Sequence, residues 1–384
     1  MIKKAEYLIL IAAIAALSLA GVSSSQLELS ETELVRTMAI DYRGGRISLT
    51  VSAGTGAEDS EISVSSSEGD TLSDAVYNLQ NGVTDHAPIF SHTEHIVIGE
   101  EAAKSGAIPE ILDFVSRSKD MRTDTGIYIS KGMTAREFLL GGVGDKTAEA
   151  DMLSRLAENV DLLTAGHAYT CGDVTARLLK SSCALIAAVT IDENDELGDK
   201  AKTEVSSVGF AIIKDGYLLE YTDEDETKGA CILENTAKFE TVTVPAGDVT
   251  VTLGITSSRA NVQPVFSGDK ITAVKIRVKL KADIQQITGN VDIKSEKVRS
   301  SIEKALEALT EERVYKAINT SKSVKADFLR IGEKCEMASP DKARSVPGGS
   351  ECILDYAAID VKAEASIERT YDAVEYMGGA NGKK

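Results

Sequence analysis

From Val274 to Ile284 apolar and polar residues alternate without a break. Val274, Ile276, Val278, Leu280, Ala282 and Ile284 are interleaved with Lys275, Arg277, Lys279 and Lys281. Period two puts one set on a buried face and the other in water, which is the pattern of a half-buried strand. A second run repeats it: Ile359, Val361, Ala363, Ala365 and Ile367 alternate with Asp360, Lys362, Glu364 and Glu368. One wet face is basic and the other mostly acidic, so the two strands are expected as antiparallel neighbours. Facing opposite charges are worth about 0.2–1 kcal/mol per pair, enough to choose a register. Between them lies the longest amphipathic helix, residues 295–318, with Val298, Ile302, Ala305, Leu306, Leu309, Ala317 and Ile318 as its apolar stripe. That stripe should pack on the dry face of the same sheet.

The N-terminal half carries the same kinds of signal. Val35–Tyr42 and Arg46–Ala53 flank Gly44-Gly45 and read as a hairpin. Thr71 with Asp74 opens a helix striped by Ala75, Val76 and Leu79. His95–Ile98 is a short strand ending at Gly99, followed by a helix start at Glu100-Glu101. A second helix then has Pro109 in its first turn, and a strand follows at Thr125–Ser130. Strand, two helices and strand are long enough for a crossover, so these strands are expected to be parallel. Thr134 with Glu137 forms a capping box, and helices at 148–163 and 173–180 precede a buried strand at Ala184–Ile191.

Asp192–Ser206 is acidic and poor in apolar residues, which marks a domain boundary or a long loop. Beyond it come a hairpin turning at Asp215-Gly216 and a helix expected to be capped by Thr222, with Asp223, Glu224, Asp225 and Glu226 in its acidic first turn. Strands follow at 239–244 and 249–256. The pattern predicts an α+β protein, with mixed and antiparallel sheets and packed helices in two or three domains. The expected divisions are 1–25, 26–200, 206–372 and a frayed tail at 373–384. At the start, Lys3 and Lys4 precede the apolar run Tyr7–Val22, the layout of a signal peptide or short N-terminal anchor. Val22 stands where a lipoprotein box would carry its acylated cysteine, so lipidation at that site is excluded.

A formal charge of −18 opposes nucleic acid or an anionic membrane surface as the main partner. The five cysteines include no C-x-x-C pair; Cys335 and Cys352, flanking a Pro/Gly-rich loop, are the one pair considered for a disulfide. His92 and His95 are three apart, which on a strand sends the rings to opposite faces and suits a shared metal poorly. Glu100 and Glu101 read as carboxylates placed against a helix dipole. Gly141–Thr147 has glycines and a Lys-Thr pair, but Asp145 interrupts it and a helix precedes it, so it reads as a helix–helix connection. No catalytic, metal or cofactor residue is assigned, and the expectation is a non-enzyme without cofactors.

These segments together resemble the Ger(x)C spore germination family, the C subunits of spore germinant receptors. The resemblance rests on His95-Ile-Val-Ile-Gly-Glu-Glu101, Ile111–Phe114, Arg117 and Arg122. It extends to Glu28-Leu29 with Ala39-Ile40-Asp41, to Gly209–Asp215 with Glu226–Gly229, and to Lys325-Ala-Asp327 with Gly332. It implies an exported, membrane-tethered protein at the outer face of the spore inner membrane, working beside the A and B membrane subunits, without catalysis. Two departures stand out. Val22 and Ser23 replace the family's lipidated cysteine and following tryptophan, which leaves an uncleaved anchor or secretion. The loop Met337–Ser350 replaces a tryptophan-containing region. The other reading is a free-standing exported ligand-binding module derived from that family.

Overall fold

The computed structural model describes residues 32–54, 62–82, 87–143, 149–194, 202–247, 249–268, 270–289, 295–344 and 346–369. The N-terminal apolar run, the Asp145-Lys-Thr147 part of the glycine-rich stretch and the tail from 370 lie outside them.

Strands β1 (Thr32–Arg43) and β2 (Arg46–Gly54) form the hairpin expected around Gly44-Gly45. Both glycines have positive φ, 57° and 88°, as a two-residue turn matched to strand twist requires. β3 (Ser63–Gly69) pairs with β2. Helix α1 (Leu72–Gly82) opens where the Asp74 N–H donates to Thr71 Oγ1 at 3.1 Å, and it buries Leu72, Ala75 and Leu79. After the short β4 (Ala87–Ile89) come β5 (His95–Gly99), α2 (Glu100–Lys104), α3 (Ile108–Arg117) and β6 (Gly126–Ser130). β5 and β6 are parallel neighbours, as the crossover predicts. Next are α4 (Ala135–Val143), α5 (Glu149–Leu163), α6 (Cys171–Ser181), β7 (Cys183–Asn194), β8 (Lys202–Lys214) and β9 (Tyr217–Tyr221). The Thr134–Glu137 box caps α4 in both directions, at 3.1 Å and 2.8 Å.

Sheet 1 runs β3-β2-β1-β5-β6-β7-β8-β9, with β4 beside β1. Its centre is parallel and its flanks are hairpins. The acidic stretch is therefore not a plain loop: Asp192–Asn194 pairs with Lys202–Glu204, and the sheet continues past it into β8 and β9. Backbone pairing carries the strands beyond the apolar run, and composition does not report backbone pairing.

The second half adds α7 (Glu224–Glu234), β10 (Glu240–Ala246), β11 (Val249–Ser267), β12 (Lys270–Thr288) and α8 (Glu296–Ser323). It closes with α9 (Ile331–Ala338), α10 (Pro340–Arg344), a 3₁₀ turn at Ser350–Cys352, α11 (Ile353–Tyr356) and β13 (Ala358–Arg369). The cap of α7 is Asp223, in a reciprocal box with Glu226, and not Thr222. The Thr222 hydroxyl instead accepts the Phe210 N–H at 2.8 Å, pulled inward by the buried hairpin beside it. Sheet 2 is ordered β10-β11-β12-β13.

β12 and β13 are neighbours, as the charges suggest, but they are parallel. The long α8 returns the chain to the end where β12 began, so β13 starts there and runs the same way. Alternation and charge choose the neighbour but are blind to direction. Ile302, Leu306, Val314, Ala317 and Ile318 of α8 are buried in one core with Val278 and Leu280 of the sheet. The pair considered for a disulfide is not joined, and one further expectation changes. Cys335 and Cys352 are free thiols. The stretch 337–350 is partly helical, because Ser339 ends α9 and Pro340 opens α10.

Candidate functional site

The segment that carries most of the family resemblance ends in a tightly built corner. β5 emerges at Gly99, and α2 begins at Glu100. Asp41, near the end of neighbouring β1, is 4% exposed, and its carboxylate accepts the N–H groups of Ala135 and Arg136 at 2.9 and 3.0 Å. It thus serves the open N-terminus of α4 from another strand. Burial pushes its pKa above the ordinary value despite those two donors. A Cβ on Gly99 would lie 2.0 Å from Asp41 Oδ1, so glycine is required there by the carboxylate behind it.

Glu100 is clasped as firmly. It accepts the Gly132 N–H at 2.6 Å and the Tyr221 hydroxyl at 3.1 Å, and pairs with Lys104 at 2.6 Å. Burial raises its pKa, but Lys104, Gly132 and Tyr221 outweigh that and hold it below the usual carboxylate range. Glu101 is exposed and meets Lys104 at 3.0 Å. The two carboxylates do not share a proton-transfer site; one is a structural anchor and the other a surface ion pair.

At the other end of β5, His92 sits in an exposed turn and His95 is 6% exposed, and both border one polar cleft. His95 Nε2 is 2.9 Å from Ser154 Oγ on α5, and its ring meets Tyr128 edge-on with centroids 5.6 Å apart. Arg36 of β1 binds both oxygens of Glu94 at 3.1 Å and reaches Asp151 of α5 at 2.8 Å. A polar cleft of about 460 Å³ opens above, with Arg122 and Asp124 at its rim.

A serine, a histidine and a carboxylate in one cleft invite an acyl-transfer reading. That chemistry needs Nε2 toward the serine and the carboxylate on Nδ1, fixing the tautomer. Here Glu94 approaches Nε2, the nitrogen Ser154 already uses, at 4.0 Å. The contact ties α5 to the sheet, and Glu94 does not stand where the orienting carboxylate of such a triad would. Among the described residues no group of three His, Cys, Asp or Glu side chains suits a metal ion. Buried Cys171, Cys183 and Cys335 have thiols pushed up to about 12 by desolvation, which makes them poor nucleophiles.

The other segments of the resemblance behave alike. Asp327 accepts the N–H groups of Ile331 and Gly332 at 3.0 and 2.6 Å, capping α9. A Cβ on Gly332 would meet Ser350 O at 2.0 Å, and one on Gly229 would meet Arg313 O at 2.2 Å where α7 crosses α8. Gly209 has φ +91° and packs against Thr222 and Thr227. The glycine contacts were missed from sequence because their partners lie 13 or more residues along the chain, whereas the Asp327 cap is local, and an aspartate before a glycine-containing helix start is its hint. Also missed was an open apolar cleft of about 400 Å³ between α3 and α6, walled by Pro109, Leu112, Leu178 and Leu179.

Residues 25–191 match the family model described as spore germination protein N-terminal domain. Residues 208–371 match that described as spore germination B3/GerAC like, C-terminal. The matches meet across the acidic stretch. Over 345 residues the chain is 24% identical to spore germination protein KC of Bacillus subtilis (strain 168), covering 85% of this chain and 83% of that protein. Its fold is similar to the crystal structure of the GerBC protein, with a TM-score of 0.53 and 17% identity over 85% of this chain and 96% of that one.

Proposed function

The chain belongs to the GerAC-like spore germination family, and from that premise we propose that it is a non-enzymatic subunit of a germinant receptor. In this reading it is exported, tethered by its N-terminal apolar segment to the outer face of the spore inner membrane, and works beside the A and B membrane subunits. One observation carries the proposal. Both family matches occur in order across the chain, and the residues that carry the resemblance cap helices and hold close backbone contacts. What such residues specify is a scaffold, and a scaffold acts through its surfaces.

Deleting the gene should abolish germination in response to the nutrient its receptor serves. The protein should fractionate with the spore inner membrane and co-purify with A and B subunits. Unchanged germination together with a soluble protein would overturn the proposal. The apolar cleft between α3 and α6 favours a second reading, a free-standing exported ligand-binding module. Under that reading the purified chain alone would bind a small apolar ligand, and the deletion would leave germination intact.

A further inference from the structure

Sheet 2 presents one face to α8 and leaves the other open. The register of β11, β12 and β13 sets out that open face as four rows: Ser257, Lys281, Ser366; Arg259, Lys279, Glu364; Asn261, Arg277, Lys362; and Gln263, Lys275, Asp360. Four rows two residues apart on three strands cover about 20 Å by about 10 Å. Arg259, Lys275, Lys279, Lys281 and Lys362 are exposed and Arg277 is half-buried.

Six cations thus share the face with two carboxylates, in a chain whose formal charge is −18. Arg277 pairs with Asp360 at 2.7 Å, and Lys281 reaches Glu368 just beyond the first row. Arg259, Lys275, Lys279 and Lys362 are in no salt bridge among the described residues. Two of the register pairs are like-charged: Arg259 faces Lys279, and Arg277 faces Lys362. Two others are opposite, Lys279 facing Glu364 and Lys275 facing Asp360, so each carboxylate of the face has a lysine beside it and a net positive charge is left over.

We propose that this open face docks on an anionic lipid surface, orienting the C-terminal half of the protein against the membrane. The proposal rests on the membrane location in the proposed function. The overall negative charge does not forbid it. At physiological salt, charges are screened beyond about 8 Å, so a surface held against the face senses the local cations and not the acidic remainder. A regular lattice of cations, with no aromatic ring among its twelve residues, matches a laterally continuous layer of phosphate headgroups better than a shaped protein partner.

The test uses the full chain with sedimented vesicles of phosphatidylcholine alone, or of phosphatidylcholine and phosphatidylglycerol in equal parts. The N-terminal apolar segment meets both vesicles, so the difference between them reads charge. At about 50 mM salt, binding to the anionic vesicles should be at least about tenfold stronger, and about 500 mM salt should erase that preference. Combining Arg259→Glu, Lys275→Glu and Lys279→Glu should abolish it. The corresponding Gln variant, with an unchanged melting temperature, should weaken it several-fold.

Equal binding to both vesicles, or a Gln variant that keeps the full preference, overturns the proposal. So does a wild-type chain that ignores vesicles while the charge variants lose a co-purifying membrane protein; the face would then serve an acidic protein. Charge-dependent vesicle binding alongside unaltered germination in the deletion strain would remove the receptor role and leave the lipid face standing.

Discussion

Glu307 accepts the backbone N–H of Ala365 at 3.0 Å, across the outer edge of β13. Glu311 does the same for Ala363 at 2.9 Å, Glu303 for Ile367 at 3.1 Å, and the Tyr315 hydroxyl for Val361 at 3.2 Å. The match is geometric. Four residues of helix rise about 6 Å and two residues of strand about 6.6 Å, so i, i+4 acceptors keep step with alternate amides. Helix α8 thereby closes an edge that would otherwise template pairing with another chain.

Replacing Glu307 with Ala should cost about 1–3 kcal/mol, because a charged acceptor is lost from a half-buried amide. Urea unfolding reads the loss, and Glu307→Gln should recover part of it. Changing Glu303, Glu307 and Glu311 together to Ala should also produce dimers by size exclusion. A triple variant as stable and as monomeric as the parent would mean that water serves the edge equally well.

Gly99→Ala places a methyl group 2.0 Å from Asp41 Oδ1, so either the carboxylate or the strand must move. The expected loss is about 2–4 kcal/mol, in the range of overpacked cores with a disturbed buried polar group. Asp41→Gly should remove the clash, making the double variant less destabilised than the sum of the singles. Additive losses would place the strain elsewhere.

Burial pushes the Asp327 carboxyl up to about 6, despite the amide donors of Gly332 and Ile331, while an unfolded aspartate titrates near 3.8. The folded state therefore holds this proton more tightly. Between about pH 4 and pH 6 the unfolded chain loses it first, so this group's contribution to stability falls as pH rises through that window. The gap corresponds to about 2–3 kcal/mol. The stability difference between the parent and Asp327→Asn, measured by denaturation at pH 4 and pH 7, should shift in the parent's favour at the lower pH. A difference independent of pH would refute the assignment.

Glu234 is 4% exposed at its side chain and meets Arg177 at 2.6 Å and Lys334 at 3.3 Å, tying α7 to α6 and α9. Arg177 also lies over the Tyr169 ring, 4.3 Å from its centroid. Glu234→Ala strands the buried guanidinium and should cost about 3–5 kcal/mol. A loss below about 1 kcal/mol in guanidinium unfolding would mean that the cations find other partners.

Ser154→Ala removes the hydroxyl beside His95 and, in a clamp, costs about 1 kcal/mol. Spores carrying it should germinate at the parental rate. A complete loss of response with the protein present at normal level would revive a nucleophilic role.

Most elements were legible locally. Gly44-Gly45 and Asp215-Gly216 announce hairpins because only certain residues adopt positive φ cheaply, and Thr134 with Glu137 announces a helix because the cap lies within four residues. The long-range partners were not legible. Asp41 caps a helix that begins 94 residues later, and nothing in the spacing of Ala39-Ile40-Asp41 says so. His92 and His95 border one cleft although period two would send them to opposite faces, because His92 lies in a turn and not on the strand.

By itself the sequence determined where most strands and helices form, which faces are wet, and that β12 and β13 lie side by side. These follow from periodicity, turn chemistry and charge, which act over a few residues. Only the tertiary structure decided that those strands are parallel, that Gly99 yields to Asp41, and that Glu303, Glu307 and Glu311 seal an edge. It also assembled the cations of β11, β12 and β13 into one face. Each of these depends on where distant parts of the chain meet, and the direction and register of that meeting are set by packing in three dimensions.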